Sequence, residues 1–458
     1  MFDGKARAVV EHKALAGCTM YDVAVVKYEK PLESLRRALD LAGGLSDVSP
    51  GAKVVIKPNF PIWHEGVNFP KYGVYTTARL LEDVVVLLVE RGVKDISIVE
   101  GMIEIEKRPE SMLELAAKGM GLDLLSERYG VKIVDVLKGS FARVSSGGLT
   151  LSVNRDILAA DYVLNMPVLK THAQAKVSLG MKNLKGVLNM ASRKKCHNAD
   201  PSIDLDYHIS RLPEMLPPSL TIIDGIYSLE RGPVYTGKAH RSDIIVASKD
   251  LLSADKVGAA ILGIAPQTVP YLTFAAGKDS RPADLSDVRI RGEVDVATAL
   301  KPHKWDFEQA EAGEMPLFLE RAGIRGMTYP RVDNTMCTYC SAFIYDVLTG
   351  IMLAKNKDRP FDDIEVLHGK VHEPTAGHKH TLLIGQCQVK KNGDSPLINH
   401  CVTIKGCPPN KSTLPKAYQA LGIELPDDFE AWMAKVPETF LGRYLGKPEF
   451  DEAFYRIA

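Results

Sequence analysis

The chain has 458 residues, 45% of them hydrophobic and 25% charged, which is longer than one ordinary domain and rich enough in apolar residues to bury a large core. Its 57 Lys plus Arg equal its 57 Asp plus Glu, which excludes an overall field that would gather nucleic acid or an anionic membrane. Charged residues interrupt Met1 to Tyr21, and no run nears the roughly 18 apolar residues that cross a bilayer, so a cytoplasmic protein without signal peptide or span is expected.

In chain order, Val23 to Val26 reads as a strand, and Leu32, Leu35, Ala38, Leu39 and Ala42 recur at helical spacing up to Gly43-Gly44. Val54 to Ile56 is the next strand and ends in Lys57-Pro58-Asn59, where a proline fits a strand terminus. Thr76 or Thr77 then caps a helix carrying Leu80, Leu81, Val84, Leu87 and Leu88. Ile96 to Val99 follows and ends in Glu100-Gly101; a further helical pattern reaches Tyr129, and Val131 to Val136 is one more strand. This alternation predicts an α/β body with a mainly parallel sheet and helices on both faces. Ligands on such sheets bind beyond the carboxyl ends of the strands, which puts Lys57, Asn59 and Glu100 at one rim. Turn chemistry alone would also account for these pairs. No G-x-G-x-x-G follows an early strand, so a dinucleotide site is unsupported.

A strand over Tyr162 to Asn165 is followed by Lys170-Thr171-His172, and then by Lys182-Asn183-Leu184-Lys185-Gly186. Buried ammonium groups near a strand rim need an anion, so Lys57, Asn59, Asn165, Lys182, Lys185 and Asp224 are the expected substrate-binding residues, with Lys170 and His172 expected to act on the substrate. A solvated helix face for Lys182 and Lys185, and a structural role for His172, are the bland alternatives. Leu220 to Gly225 and Ile244 to Ser248 are further strands, and Asp250 reads as the N-terminal acid of a helix from about Ser253 to Leu262. A divalent metal on Asp224, Asp255 and His172, serving a hydrolase or transferase, is a third reading.

Lys57-Pro58-Asn59, Asn165 to His172, Lys182 to Gly186, Asp224-Gly225 with Gly232-Pro233 and Gly237, and Ser248 to Asp250 with Asp255 together resemble the prokaryotic family called domain of unknown function 362. The resemblance covers roughly Lys53 to Gly263 and implies an iron–sulfur association and kinship with proteins of anaerobes. Many relatives carry a ferredoxin-like module with two closely spaced cysteine runs; this chain has a single C-x-x-C and widely separated later cysteines.

Five of the seven cysteines lie between Cys337 and Cys407. In a reducing compartment such clustering points to metal or redox chemistry rather than disulfides. The spacing predicts a helix through Ile344, Val347, Leu348 and Ile351, strands at Ile364 to Leu367 and Thr381 to Cys387, a strand at Val402 to Ile404, and a closing helix from Ser412 to Leu421. Cys-Pro at a final ligand recurs in iron–sulfur runs, and Gly406-Cys407-Pro408-Pro409 resembles, over four residues, the last cluster ligand of small electron-transfer subunits in hydrogenases and respiratory complexes. Cys337, Cys340, Cys387 and Cys407 are therefore the expected ligands of a [4Fe-4S] cluster, with Cys401 in reserve; zinc on the same cysteines, aided by His378, His380 and His400, is the alternative.

Five stretches result: an N-terminal extension 1–20, the α/β body 21–300, a linker 301–330, a cysteine-containing α+β metal-binding segment 331–425 and an acidic, aromatic-bearing tail 426–458. The function expected is an iron–sulfur redox protein, an oxidoreductase if it is an enzyme, with a small anionic substrate and a redox partner protein. A non-catalytic binding or maturation factor with a structural metal is the rival. Trp432, Phe440, Tyr444 and Phe450 of the tail can pack on the body or on a second subunit as a homodimer.

Overall fold

The computed structural model describes residues 19–104 and 108–458. The expected N-terminal extension and Cys18 thus lie almost wholly outside the described residues.

The body is built on one large sheet. Its strands are β1 (Tyr21–Lys27), β2 (Lys53–Lys57), β3 (Asp95–Glu100), β4 (Lys132–Asp135), β7 (Tyr162–Asn165), β8 (Val168–His172), β9 (Lys176–Ser178), β10 (Ser219–Glu230), β11 (Lys238–Ser248) and β12 (Val288–Arg291), while β5 (Phe141–Ser146) and β6 (Leu149–Asn154) form a separate hairpin. The order is β12-β1-β11-β10-β7-β2-β3-β4, with β8 beside β10 and β9 beside β8. Pairing is mainly parallel, as expected; β11 runs antiparallel to β1 and β10, and β9 antiparallel to β8. Alternate residues feed two cores, because successive side chains point to opposite faces. Ala24, Val26, Val54 and Ile56 pack on one face, and Val23, Val25, Val55 and Val163 on the other. Helices cover both faces, which explains strands that are apolar throughout.

At Met166-Pro167 the chain leaves β7 and restarts as β8. Both strands lie parallel to the 12-residue β10, β7 along its first half and β8 along its second. The stretch that follows Asn165 is therefore itself a strand, and Lys170 and His172, two apart, share one face of it.

The second unit has its own core and a four-stranded parallel sheet, β13 (Met327–Thr328), β14 (Ile364–Leu367), β15 (His380–Ile384) and β16 (His400–Ile404), in that order. Helix Thr338–Leu353 joins β13 to β14 and helix Gly385–Asn392 joins β15 to β16. Strand and helix alternate, so this unit is α/β rather than the α+β expected. In the stretch 301–330, Ala310, Met315, Leu319 and Ile324 are buried in the second core, a short helix spans Leu317–Arg321, and β13 lies within it. The tail returns to the body. Tyr444, Tyr455 and Ile457 are buried in its first core, Phe450 packs against it, and the Ile457 N–H donates to the Met120 carbonyl.

Candidate functional site: a cationic cleft beside a cysteine cluster

The carboxyl ends of β2, β3 and β7 meet at the rim named by the sequence, with Lys57 beside Asn165 in register. Lys57 is fully buried there. Its ammonium donates to Glu100 Oε2 at 2.8 Å and to the Pro58 carbonyl at 2.7 Å. Glu100 also accepts the N–H groups of Phe60 and Gly101. A Cβ on Gly186 would come 2.7 Å from Glu100 Oε1 and 2.9 Å from Lys57 Nζ, so the glycine ending Lys-Asn-Leu-Lys-Gly lets that turn cover the ion pair. Lys57 is thus a paired internal charge rather than a free substrate contact. Asn165 is internal too: its amide donates to the Gly180 carbonyl and its oxygen accepts from Asn183.

A cleft of about 1840 Å³ opens between this rim and the second unit, lined at its polar end by Asn59, Lys170, His172, Lys182, Lys185 and His197. Lys170 donates to Asn59 Oδ1 at 2.5 Å and to the carbonyls of Val74 and Pro233 at 2.9 and 3.1 Å, all neutral acceptors. Burial pushes its ammonium down to about 7, with Glu100 opposing and Lys57 adding to the shift. Lys185 lies 2.6 Å from His197 Nε2 and 3.5 Å from the Thr338 hydroxyl, and burial pushes it down to about 8. His197 Nδ1 is 2.7 Å from the Asn334 carbonyl, so that nitrogen carries the proton and Nε2 accepts from Lys185. Lys182 has no hydrogen bond or ion pair among the described residues. Burial, then Lys185 and Lys170, hold its ammonium well below the ordinary lysine range.

His172 accepts the Gln174 N–H at Nδ1, at 3.1 Å, which leaves Nε2–H as the group it offers. Burial and the three lysines hold its pKa well below 6.5. The imidazole is thereby held neutral near pH 7, with Nε2–H as its free donor. Asp224 does not reach the cleft. Its Oδ2 accepts from the Thr77 N–H and hydroxyl at 2.7 and 2.8 Å, and its Oδ1 from the Ile226 N–H, so it braces the start of helix Ala78–Glu90. Asp255 accepts the N–H groups of Gly180 and Met181 at 2.6 and 2.9 Å. Among the described residues Asp224, Asp255 and His172 do not converge on one metal position. Asp250 caps helix Leu251–Ile261 through the Ser253 N–H, as its sequence position implies.

The cysteines gather at the carboxyl end of the second sheet. Cys337 is the N-cap of helix Thr338–Leu353 and Cys340 lies in its first turn, with the two thiols hydrogen-bonded. Cys387 is in the first turn of helix Gly385–Asn392 rather than on the strand the sequence predicted; Gly385, at φ 85°, turns the chain off β15. A Cβ there would come 3.0 Å from Cys340 Sγ. The Gln386 N–H donates to the Gly406 carbonyl at 3.0 Å, which ties the Cys387 turn to the Cys407 loop. Cys337, burial and then the nearby Cys387 and Cys407 all push the Cys340 thiol up. Cys401 instead pairs with Thr381 near the amino end of the strands, where His380 and His400 face each other. That end is about 13 Å away along a strand. Cys401 and these histidines therefore stand apart from the other four cysteines, as does His378, which is held by Asp363.

Lys185 touches Thr338, the residue after Cys337, and Lys194 Nζ lies 3.6 Å from Cys407 Sγ, so the cationic end of the cleft adjoins the cysteines.

The family described as Domain of unknown function (DUF362) matches residues 54–260. Those residues belong to this family. The DUF362 region carries the three lysines at the polar end of the cleft, Lys170, Lys182 and Lys185, and ends before the first clustered cysteine. The chain is also 29% identical over 254 residues to the thylakoid-associated protein sll1697 of Synechocystis sp. (strain ATCC 27184 / PCC 6803 / Kazusa), which covers 53% of this chain and 73% of that protein. Among solved structures, the lactate racemase apoprotein from Thermoanaerobacterium thermosaccharolyticum matches at 16% identity with a TM-score of 0.36. That match covers 53% of this chain, which spans 57% of the racemase chain.

Within the DUF362 region, sequence reasoning missed Asn183 and His197. Asn183 holds Asn59 and Asn165 together, and its place inside the Lys-Asn-Leu-Lys run was the available signal. His197 follows Cys196 at a helix end and carries no local signature. Among the described residues no helix is long and apolar enough to cross a membrane.

Proposed function

We propose that the protein is an iron–sulfur redox protein, with a [4Fe-4S] cluster on Cys337, Cys340, Cys387 and Cys407 beside a cleft that takes a small anionic substrate. The observation that carries this reading is the Lys185–Thr338 contact, which joins the cationic end of the cleft to the residue after Cys337. The donor set fits the group. Four cysteine sulfurs suit iron–sulfur ligation. A single zinc would draw sulfurs to about 3.8 Å from one another, given Zn–S bonds of about 2.3 Å. No three of these four sulfurs lie within 4.8 Å of one another, and a multi-iron cluster, in which each sulfur reaches a different iron, needs the wider spacing.

When bound, the cluster would supply one-electron transfer. The chain's own residues do the rest. Lys182 brings a charge with no hydrogen bond or ion pair among the described residues, Lys170 and Lys185 bring charges hydrogen-bonded only to neutral groups, and His172 offers a neutral N–H. A buried ammonium without a counter-charge costs several kcal/mol, so an anion entering this end gains what the protein alone does not supply. Carboxylate and phosphate both suit such a site.

The test is whether the two halves sense each other. In reduced protein, saturating the cleft with a phosphate or carboxylate anion is expected to alter the electron paramagnetic resonance signal. The change should be absent in Lys182→Ala. A signal indifferent to every anion that binds would refute the arrangement, as would anion binding unaffected by Lys182→Ala.

A further inference from the structure

Asp333, His368 and His372 offer one oxygen and two nitrogens that all lie within 4.8 Å of one another, a group that includes none of the four clustered cysteines. Their hydrogen bonds show which atoms are available. His368 Nε2 lies 3.2 Å from the Pro330 carbonyl and so carries the ring proton, while Nδ1 is buried with no hydrogen-bond partner. His372 Nδ1 lies 2.8 Å from the His368 carbonyl and so is protonated, which leaves the Nε2 lone pair 3.5 Å from Asp333 Oδ2. Asp333 Oδ1 accepts from the Thr335 N–H and hydroxyl, and Oδ2 is buried without a hydrogen bond.

Three lone pairs thus face one point, and the opposite atom of each side chain is fixed by a backbone or hydroxyl group. That is the pattern in which an outer partner sets the tautomer of a metal-binding histidine. Left without a cation, His368, which is fully buried, would hold an unsatisfied nitrogen.

The surroundings hold this geometry in place. His368 directly follows β14. Gly369, at φ 71°, lets the chain pass where a Cβ would lie 2.8 Å from Asp333 Oδ2. The Gln388 amide donates to the carbonyls of His368 and His372 at 3.1 and 3.2 Å, and Asn392 donates to that of His372 at 3.0 Å. Gln174 of the body donates to the Asp333 carbonyl at 2.7 Å.

We propose that Asp333 Oδ2, His368 Nδ1 and His372 Nε2 bind one divalent transition-metal ion of the zinc or iron(II) class. Two imidazoles and a carboxylate suit such borderline ions. Metal–ligand bonds of about 2.0–2.2 Å place tetrahedral ligand atoms about 3.3 Å apart, close to the present His372–Asp333 separation. His368 is fully buried, whereas the side chains of Asp333 and His372 are 22% and 19% exposed. Three protein ligands with one open position is the arrangement of sites that also bind water or substrate.

The full-length protein, treated with a chelator and titrated with Co2+, provides the test. About one Co2+ per chain is expected, with visible d–d absorption, no thiolate-to-cobalt charge-transfer band, and displacement by Zn2+. Affinity should fall at least about tenfold in His368→Ala and in Asp333→Asn and should be unchanged in Cys387→Ser. If the buried His368→Ala fails to fold, the partly exposed His372→Gln reads the same loss. Absence of Co2+ binding, binding unchanged in the ligand variants, or a thiolate band that disappears in Cys387→Ser would overturn the assignment. The last outcome would leave the cysteine cluster standing, and loss of the cluster in turn would leave this site standing.

Discussion

The Lys185 ammonium stands 3.5 Å from the Thr338 hydroxyl. Through it the DUF362 region and the cysteine-bearing unit share one polar junction, and several outcomes follow from which charges there have partners and which do not.

Lys182 is half-buried in the cleft with no hydrogen bond or ion pair among the described residues, so removing it relieves a partly desolvated charge and breaks no hydrogen bond. Lys182→Ala is expected to melt at or above the wild-type temperature. It should lose most of the thermal shift that phosphate or carboxylate anions give the wild type. Melting curves with and without anion check both halves.

Lys57 behaves in the opposite way, because Glu100 would be left buried and unpaired. Lys57→Met should cost roughly 3–5 kcal/mol, and Lys57→Met with Glu100→Leu should recover most of it. Urea unfolding of the two variants measures the difference; equal losses would mean that the pair is not coupled.

The pH dependence follows from Lys170. Folded, its ammonium titrates near about 7, against an ordinary 10.5. Between those values the unfolded chain holds a proton that the folded chain lacks, so stability without ligand rises with pH across that window. The charged form that attracts an anion is lost over the same range, so anion affinity falls. Opposite trends in melting temperature and anion affinity between about pH 6 and about pH 9 are expected, and Lys170→Met should flatten both.

Cysteine substitutions should divide by position. Cys387→Ser and Cys407→Ser are expected to lower bound iron and acid-labile sulfide sharply. Cys401→Ser, altered at the amino end of β16, should leave both unchanged.

Much of this was legible in the chain. The apolar runs at Val54 to Ile56 and Ile96 to Val99 specify buried parallel strands, and Lys57, Asn59 and Glu100 fell at their carboxyl ends because that follows from the strand pattern alone. What side chains do at a rim depends on neighbours distant in sequence. Nothing local tells that Lys57 meets Glu100 while Lys182 has no hydrogen bond or ion pair among the described residues, or that Asp224 is taken up by Thr77. β8 was hidden because Pro167 reads as a stop, although β10 is long enough to pair with a strand on either side of it. Asp333 lies 35 residues before His368, so only the His-x-x-x-His spacing of His368 and His372 hinted at their shared site.

Iron and acid-labile sulfide analysis of the full-length protein purified without oxygen, read together with its electron paramagnetic resonance spectrum on reduction, tests the central claim most directly. The account predicts a brown protein with about four iron and about four sulfide per chain and a signal that Cys387→Ser abolishes. A colourless protein holding about one zinc on its cysteines and no sulfide would contradict it.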